Sequence, residues 1–208
     1  MAGNGIPGVP GFWLRVFRHS ATLNDMMRPY DEPIIAYLED IKIEYIANPM
    51  GFRLNFHFSN NHYFTNSVLV KEYHIKSVPT PFKHDSEIYK CIGCTIDWLP
   101  HQDVTVRLGK QRQRHRSNGN IRVVERLVKN ESFFNFFNPP VVPEDPKIEV
   151  KDELHVRLAT DYEVGQYFRT RIIPHAYLYY IGQAPEQDDN YQDCSSDSSE
   201  DTSDSDED

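Results

Sequence analysis

The sequence predicts an α+β fold in which a meander of antiparallel strands lies between two helical regions. Apolar and polar residues alternate at residues 41–45 and again at residues 52–58, which is the period of a strand with one buried face. Helical spacing replaces this alternation at Leu154, Leu158 and Val164. Because the connections between the predicted strands are short, antiparallel pairing is the economical topology.

Helices are expected at both ends of this meander. The first is predicted at residues 12–27, and Pro29 ends it. Asp31 is a candidate N-cap for a short helix through residues 33–38. A longer helix is predicted at residues 150–173, and residues 177–181 are expected to pack back on the body.

The remaining strands are predicted from shorter patterns. Residues 69–75 form the third strand and residues 96–98 mark the fourth, with a loop from residue 79 to about residue 88. A β-hairpin follows, because Asn118-Gly119 separates two strand-like runs. A symmetric turn there would place Arg112 opposite Glu125. The hairpin is strongly basic, with candidate binding residues Lys110, Arg112, Arg114, Arg116, Arg122 and Arg126.

The four phenylalanines of residues 133–137 are expected to be core, because exposed they would form an aggregation-prone patch. The chain is accordingly divided into a flexible arm at residues 1–11, a folded domain at residues 12–182 and a tail at residues 183–208. The tail has eleven acidic residues and no Lys or Arg, so it is expected to be disordered.

Net charge and cysteine content exclude several functional classes. The chain carries −9, yet residues 1–182 carry +2, because the excess acidity lies in the tail. Three cysteines form no disulfide framework, and no signal peptide or membrane-spanning run is recognised, which indicates a cytosolic or nuclear protein. Cys91-x-x-Cys94 lacks the partners of a zinc site. No metal, cofactor or enzymatic motif is predicted.

Six motifs occur in the order found in a known family. They are Phe12-Trp13-Leu14, Tyr63-Phe64-Thr65-Asn66, the segment from Cys91 through Trp98, residues 110–115, the segment from Glu131 through Pro140, and residues 159–174. With an acidic tail after them, the sequence resembles the nucleosome assembly proteins, which are histone chaperones. The resemblance runs from residue 6 to residue 182.

The resemblance implies a four-stranded antiparallel sheet packed on helices, with a protruding basic hairpin and core histones as partners. It also implies a nuclear location with cytoplasmic shuttling, in which the hairpin binds an import receptor. The family's long dimerisation helix would precede the first residue of this sequence. The expectation is therefore a short member without that helix, and its oligomeric state stays open.

The candidate histone-binding residues are acidic positions on the C-terminal helix and in the tail: Asp152, Glu153, Asp161, Glu163, Glu186, Asp188, Asp189, Glu200 and Asp201. Ser198, Ser203 and Ser205 each precede an Asp by three residues, which suits an acidophilic kinase. A mobile acidic tail can shield a basic protein without fixed geometry.

Several alternatives stay open at this point. A purely solubilising role for the acidic tail is an alternative that the family resemblance makes the less favoured one. The hairpin is compatible with contact to DNA or to an acidic partner, and with a merely solvated surface. A non-catalytic regulatory protein of the same fold, such as a phosphatase inhibitor, is the alternative function. Direct DNA binding is disfavoured by the net charge of −9.

Overall fold

The fold is known from a computed structural model, which describes residues 8–79, 84–114, 121–141 and 152–184. In chain order its elements are α1 (Phe12–His19), α2 (Ala21–Met26), α3 (Glu32–Ile35), β1 (Leu38–Ala47), β2 (Met50–Phe58), β3 (Val68–Pro79), β4 (His84–Ile92), β5 (Val106–Arg114), β6 (Ile121–Lys129), a 3₁₀ helix (Phe133–Phe137), α4 (Asp152–Tyr167), a π-helical turn (Phe168–Ile172) and α5 (Ala176–Tyr180). None of the described helices is long and apolar enough to cross a bilayer.

The central sheet is a four-stranded antiparallel meander in the order β1-β2-β3-β4, and β5 and β6 form a separate two-stranded sheet. This confirms the predicted α+β class. Phe52, Leu54 and Phe56 on β2 are buried, while the residues between them are partly exposed. One face of the sheet therefore carries the core and the other face meets solvent.

The predicted position of the fourth strand is wrong. The fourth strand is β4, which begins in the region predicted as a loop, and Trp98 makes only an isolated bridge with Phe64. The first four residues of β4, His84 to Glu87, are all polar. The start of this strand therefore lacks the alternation of apolar and polar residues from which strands are predicted. Its backbone hydrogen bonds to β3 form the strand regardless of side-chain type, with Ser77 opposite Ser86.

The single helix predicted at residues 12–27 is divided in two by Ser20. Ser20 has an extended backbone, and its Oγ accepts a hydrogen bond from the Leu23 amide at 3.3 Å, so it caps α2. Asp31 precedes α3 as predicted, but its side chain does not cap that helix. Its buried carboxylate accepts instead from the Arg28 amide and the Phe133 amide, both at 2.9 Å. Asp31 thus joins the N-terminal helices to the 3₁₀ helix.

The 3₁₀ helix lies in the core, as the sequence predicts. All four of its phenylalanines are buried. Phe133 packs edge-on against Phe17 of α1 with ring centroids 4.9 Å apart, and Phe137 packs edge-on against Phe56 of β2 at 5.2 Å. This short helix therefore contacts both the N-terminal helices and the sheet.

Three residues of α4 and β3 hold the C-terminal helix beneath the sheet. Lys71, fully buried on the inner face of β3, donates to Asp161 Oδ2 at 2.7 Å and to the Phe136 carbonyl at 2.6 Å. Burial lowers the pKa of Lys71, and the Asp161 carboxylate only partly offsets that effect. Tyr73 donates its hydroxyl to the Asp161 carbonyl at 2.9 Å. At Gly165 a Cβ would lie 2.3 Å from the Tyr73 ring, so only glycine allows this approach.

The last described helix packs against the first, which agrees with the prediction that residues 177–181 pack back on the body. Tyr180 stacks on Phe12 with ring centroids 4.9 Å apart, and His19 Nδ1 lies 2.6 Å from the Tyr179 carbonyl. The Tyr167 hydroxyl links Ser20 Oγ at 3.0 Å to the Tyr179 hydroxyl at 3.1 Å. Residues 183–184 therefore leave the body beside α1.

Replacing Gly165 by Ala is expected to lower the free energy of unfolding by about 1–3 kcal/mol, because the new methyl group overlaps the Tyr73 ring. Urea denaturation followed by circular dichroism measures the change. Thr160→Ala, at an exposed position of the same helix, is the control and should cost about 0.5 kcal/mol or less. Equal effects of the two substitutions would show that Gly165 is not tightly packed.

Asp161→Leu is expected to cost about 3–5 kcal/mol, because it leaves the buried Lys71 ammonium without its counter-charge. Adding Lys71→Met should recover part of this loss, since the double variant buries no charge. Glu163→Leu, an exposed carboxylate two residues away, is the control and should be nearly neutral. Strictly additive losses in the Lys71 and Asp161 variants would contradict the ion pair.

Candidate functional site

The charges of the sequence separate into three regions of different sign. Residues 106–129, which form the hairpin, contain eight Lys or Arg and one Glu, or +7. Residues 185–208 contain eleven acidic residues and no Lys or Arg, or −11. Since the whole chain carries −9, the remaining residues carry −5. The near-neutral body predicted from the sequence is thus a negative body with a positive hairpin.

The hairpin pairs in a different register from the predicted one. Lys110 lies opposite Glu125, and Arg112 lies opposite Val123. The last described pair is Arg114 with Ile121, so the pairing is centred one residue before Asn118-Gly119. In antiparallel strands a one-residue displacement of the centre shifts every partner by two residues, which explains the error.

The base of the hairpin is exposed and cationic. Arg107, Lys110, Arg126 and Lys129 are exposed, and none of them forms an ion pair with a described residue. Leu108 and Leu127, which lie opposite each other, are 66% and 70% exposed. Of the other predicted basic residues, Arg112, Arg114 and Arg122 lie on the two strands, and Arg116 lies outside the described residues.

The four acidic residues predicted on the C-terminal helix do not form one surface. Asp152 is the first residue of α4, and Glu153 and Glu163 are exposed on that helix. Glu163 is ten positions after Glu153, so the two glutamates stand about 15 Å apart along the helix axis. They supply two separate points of negative charge.

Asp161 differs from the other three, because its carboxylate is only 12% exposed and is neutralised by Lys71. It is therefore part of the internal structure, not of the acidic surface to which the sequence pattern assigned it. A signal was present in the sequence: Lys71 occupies an inward position of β3 between Leu69 and Tyr73. A lysine at such a position requires a buried anionic or carbonyl partner.

Other carboxylates of the body are also committed to ion pairs. On the outer face of the sheet, the Arg53 guanidinium lies 2.7 Å from Glu72 and 3.1 Å from Glu44. Burial alone would raise the pKa of Glu72, but hydrogen bonds from His74 and Arg53 outweigh it and hold that pKa below its usual value. Near the hairpin, Arg28 pairs with Glu131 at 2.6 Å.

Outside the hairpin, a smaller set of carboxylates remains free to contact a partner. These residues are exposed and form no ion pair with a described residue: Asp25, Glu39, Asp97, Glu153 and Glu163. Asp25 and Glu39 were not singled out from the sequence, because isolated acidic residues carry no periodic signal. The predicted tail residues Glu186, Asp188, Asp189, Glu200 and Asp201, and the phosphorylation candidates Ser198, Ser203 and Ser205, lie outside the described residues.

The two cysteines of the Cys91-x-x-Cys94 motif are free thiols in a partly apolar setting. Burial raises the pKa of Cys91 to about 12, and burial also raises the pKa of Cys94. Burial therefore favours the neutral thiol over the thiolate at both positions. Within the four described ranges no group of His, Cys, Asp and Glu has the arrangement of a metal site.

Comparison with known proteins agrees with this architecture. The sequence model of the nucleosome assembly protein (NAP) family matches residues 2–183. The chain is 45% identical over 191 residues to human nucleosome assembly protein 1-like 4, covering 89% of this chain and 51% of that protein. It is 46% identical over 188 residues to mouse nucleosome assembly protein 1-like 1, covering 88% of this chain and 48% of the relative. The chain thus spans about half the length of these curated relatives.

Solved structures show the same fold. Nucleosome Assembly Protein 1 from Plasmodium knowlesi superposes with a TM-score of 0.62 at 32% identity, covering 85% of this chain and 69% of that chain. Ccp1, at 18% identity and a TM-score of 0.53, shares the fold alone and covers 87% of this chain and 79% of its own. The profile match, the identities and the fold lead to one conclusion: this chain belongs to the nucleosome assembly protein family.

Proposed function

We propose that this protein is a histone chaperone, a non-enzymatic protein that binds core histones and assists nucleosome assembly. The observation that carries the proposal is the separation of charge within a chain of this family. The tail and the body without the hairpin together carry −16, and several body carboxylates are exposed and form no ion pair with a described residue. A basic, DNA-binding protein is the natural partner of such surfaces.

Many weak contacts suit the task of a chaperone better than a few strong ones. An exposed ion pair contributes about 0–1 kcal/mol, and salt screens it. A partner held by numerous such pairs can be bound firmly and still be transferred to DNA, whose phosphates offer a higher density of negative charge. The buried pair of Lys71 and Asp161 takes no part in this exchange.

The proposal divides the work between the body and the tail. On α4, the acidic residues Asp152, Glu153 and Glu163 contact the histone at fixed spacings, because the helix fixes the distances between their backbone positions. Glu186, Asp188, Asp189, Glu200 and Asp201 contribute charge density, with phosphorylation of Ser198, Ser203 and Ser205 adding about −1.5 to −2 each. Asp161 is left out because Lys71 neutralises it.

Sedimentation equilibrium with purified core-histone dimers tests the proposal. At moderate salt we expect a defined complex, whose mass also gives the number of subunits. Changing the eleven tail carboxylates to Asn and Gln, which keeps the length of the chain, should weaken the complex at least tenfold and reduce its salt dependence. No complex near physiological salt would instead favour a regulatory binding protein of the same fold.

The role of α4 is tested in the chain that carries the neutral tail. Glu153→Gln with Glu163→Gln should weaken histone binding about two- to tenfold, as expected for two exposed ion pairs. Asp25→Asn with Glu39→Gln removes the same charge from exposed positions on α2 and β1 and should have a smaller effect. Equal effects from both pairs would mean that only total charge matters.

We also propose a nuclear location in which the basic hairpin serves as the signal for an import receptor. Its support is the cluster of exposed cations at the base of the hairpin, which form no ion pair with a described residue. In cells, a fluorescent fusion with Lys110, Arg112, Arg114 and Arg116 changed to Gln should lose nuclear accumulation. A fusion with Lys42, Lys76, Arg157 and Arg171 changed to Gln is the charge-matched control. Unchanged accumulation in the hairpin variant would contradict the proposal.

A further inference from the structure

We propose that the acidic tail, residues 185–208, binds the basic hairpin of the same molecule, so that each masks the charge of the other. The contact would make the hairpin an internal competitor for the tail. It does not depend on the identity of the external partner, and so it goes beyond the histone-binding role.

The hairpin presents cations that the rest of the described chain does not neutralise. Arg107, Lys110, Arg126 and Lys129 are exposed at its base without an ion pair to a described residue. Glu125, the one acidic residue within residues 106–129, lies opposite Lys110 but does not form an ion pair with it. The two strands pair with each other and not with the central sheet. Arg107 and Leu108, whose side chains point to opposite faces, are both exposed, as are residues 125–129, so both faces of this small sheet are accessible at its base.

The tail is the complementary surface. Its −11 exceeds the +7 of the hairpin, whereas the rest of the body carries −5 and repels it. Several cations of the body already have acidic partners: Arg18 with Glu32, Arg28 with Glu131, and Arg53 with Glu44 and Glu72. Arg15, Lys76 and Arg157 are also exposed without an ion pair to a described residue, but each lies on a different element. The hairpin holds eight Lys or Arg within residues 106–129 and is therefore the densest cluster of positive charge for the tail.

The tail also starts close enough to reach the hairpin. It leaves the body next to α1, where a Cβ on Gly182 would lie 3.6 Å from the His19 ring. The hairpin rejoins the body at Glu131, which Arg28 binds just after α2. The 24 residues 185–208 can extend to about 80 Å. A nine-residue strand such as β5 measures only about 30 Å.

Tethering makes such a contact effective even though each ion pair is weak. A segment attached to the same chain acts at an effective concentration of about millimolar. At physiological salt the Debye length is about 8 Å, so only charges in close approach retain their attraction. A partner with a higher density of positive charge than the hairpin would compete with the hairpin for the tail. When that partner binds the tail, the cations of the hairpin become accessible again.

Zero-length carbodiimide cross-linking of the full chain, without any partner, tests the inference. Unlabelled and ¹⁵N-labelled protein are mixed, cross-linked at about 0.1 M salt, where the Debye length is about 10 Å, and analysed by mass spectrometry. We expect Lys110 and Lys129 to be joined to carboxylates of residues 186–208, with both halves of each product carrying the same label. Lys76, exposed on β3, is the internal control. Cross-links should decrease at least fivefold at about 1 M salt, where the Debye length is about 3 Å.

Two outcomes would overturn the proposal. If Lys110 and Lys129 react with the tail no more often than Lys76 does, the hairpin is not its binding site. If products of mixed label are as frequent as products of single label, the tail of a second copy occupies the hairpin. Neither result bears on histone binding, because no histone is present.

A second measurement tests the contact between tail and hairpin without any cross-linking reagent. In the chain with the neutral tail, trypsin should cleave after Arg107 and Arg126 at least threefold faster than in the natural chain. Cleavage after Arg157, exposed on α4, is the reference site in both proteins. An unchanged ratio between hairpin and reference cleavage would show that the tail does not cover the hairpin.

Discussion

Burial of the phenylalanines of the 3₁₀ helix (Phe133–Phe137) beneath the sheet is the constraint on which the other features depend. Phe133 contacts Phe17 of α1, Phe137 contacts Phe56 of β2, and Phe136 contacts Phe168 beside α4. Each aromatic side chain removes a large apolar area from water, so these contacts draw three distant parts of the chain into one core. The hairpin ends just before this helix, and its attachment to the body follows from that burial. The Asp31 carboxylate also holds the start of the 3₁₀ helix in place, because it accepts hydrogen bonds from Ser132 and Phe133.

Ion pairing within the body decides which charges remain available to partners. Lys71 and Asp161 neutralise each other inside the molecule, and Arg53 links Glu44 to Glu72 on the outer face. Among the described residues, the exposed charges without an ion pair include the cations at the base of the hairpin and several carboxylates of the body, and the sequence adds eleven acidic residues after residue 184. Since such charges act through many weak, salt-sensitive contacts, they suit reversible exchange between partners better than permanent binding.

Sequence reasoning succeeded where one face of an element is buried and failed where backbone pairing or long-range contacts decide. The alternation along β2 and the burial of residues 133–137 were predicted because apolar side chains must leave water. β4 was missed because hydrogen bonds to β3 hold an otherwise polar strand. The predicted hairpin register is wrong by two residues because it assumes a turn centred on Asn118-Gly119, whereas the strands pair about a point one residue earlier. Asp161 was assigned to the surface because its partner Lys71 is 90 residues away in the chain.

The sequence by itself determined the α+β class, the family, the aromatic core and the concentration of acidity after residue 184. These features rest on periodicity, composition and motif order, which are local or additive properties of the chain. Only the tertiary structure decided which carboxylates are exposed and which are neutralised in ion pairs. It also decided that Gly165 lies against the Tyr73 ring. The physical reason is that burial and ion pairing are properties of pairs of residues distant in sequence. A single acidic residue therefore carries no information about its own exposure until the chain has folded.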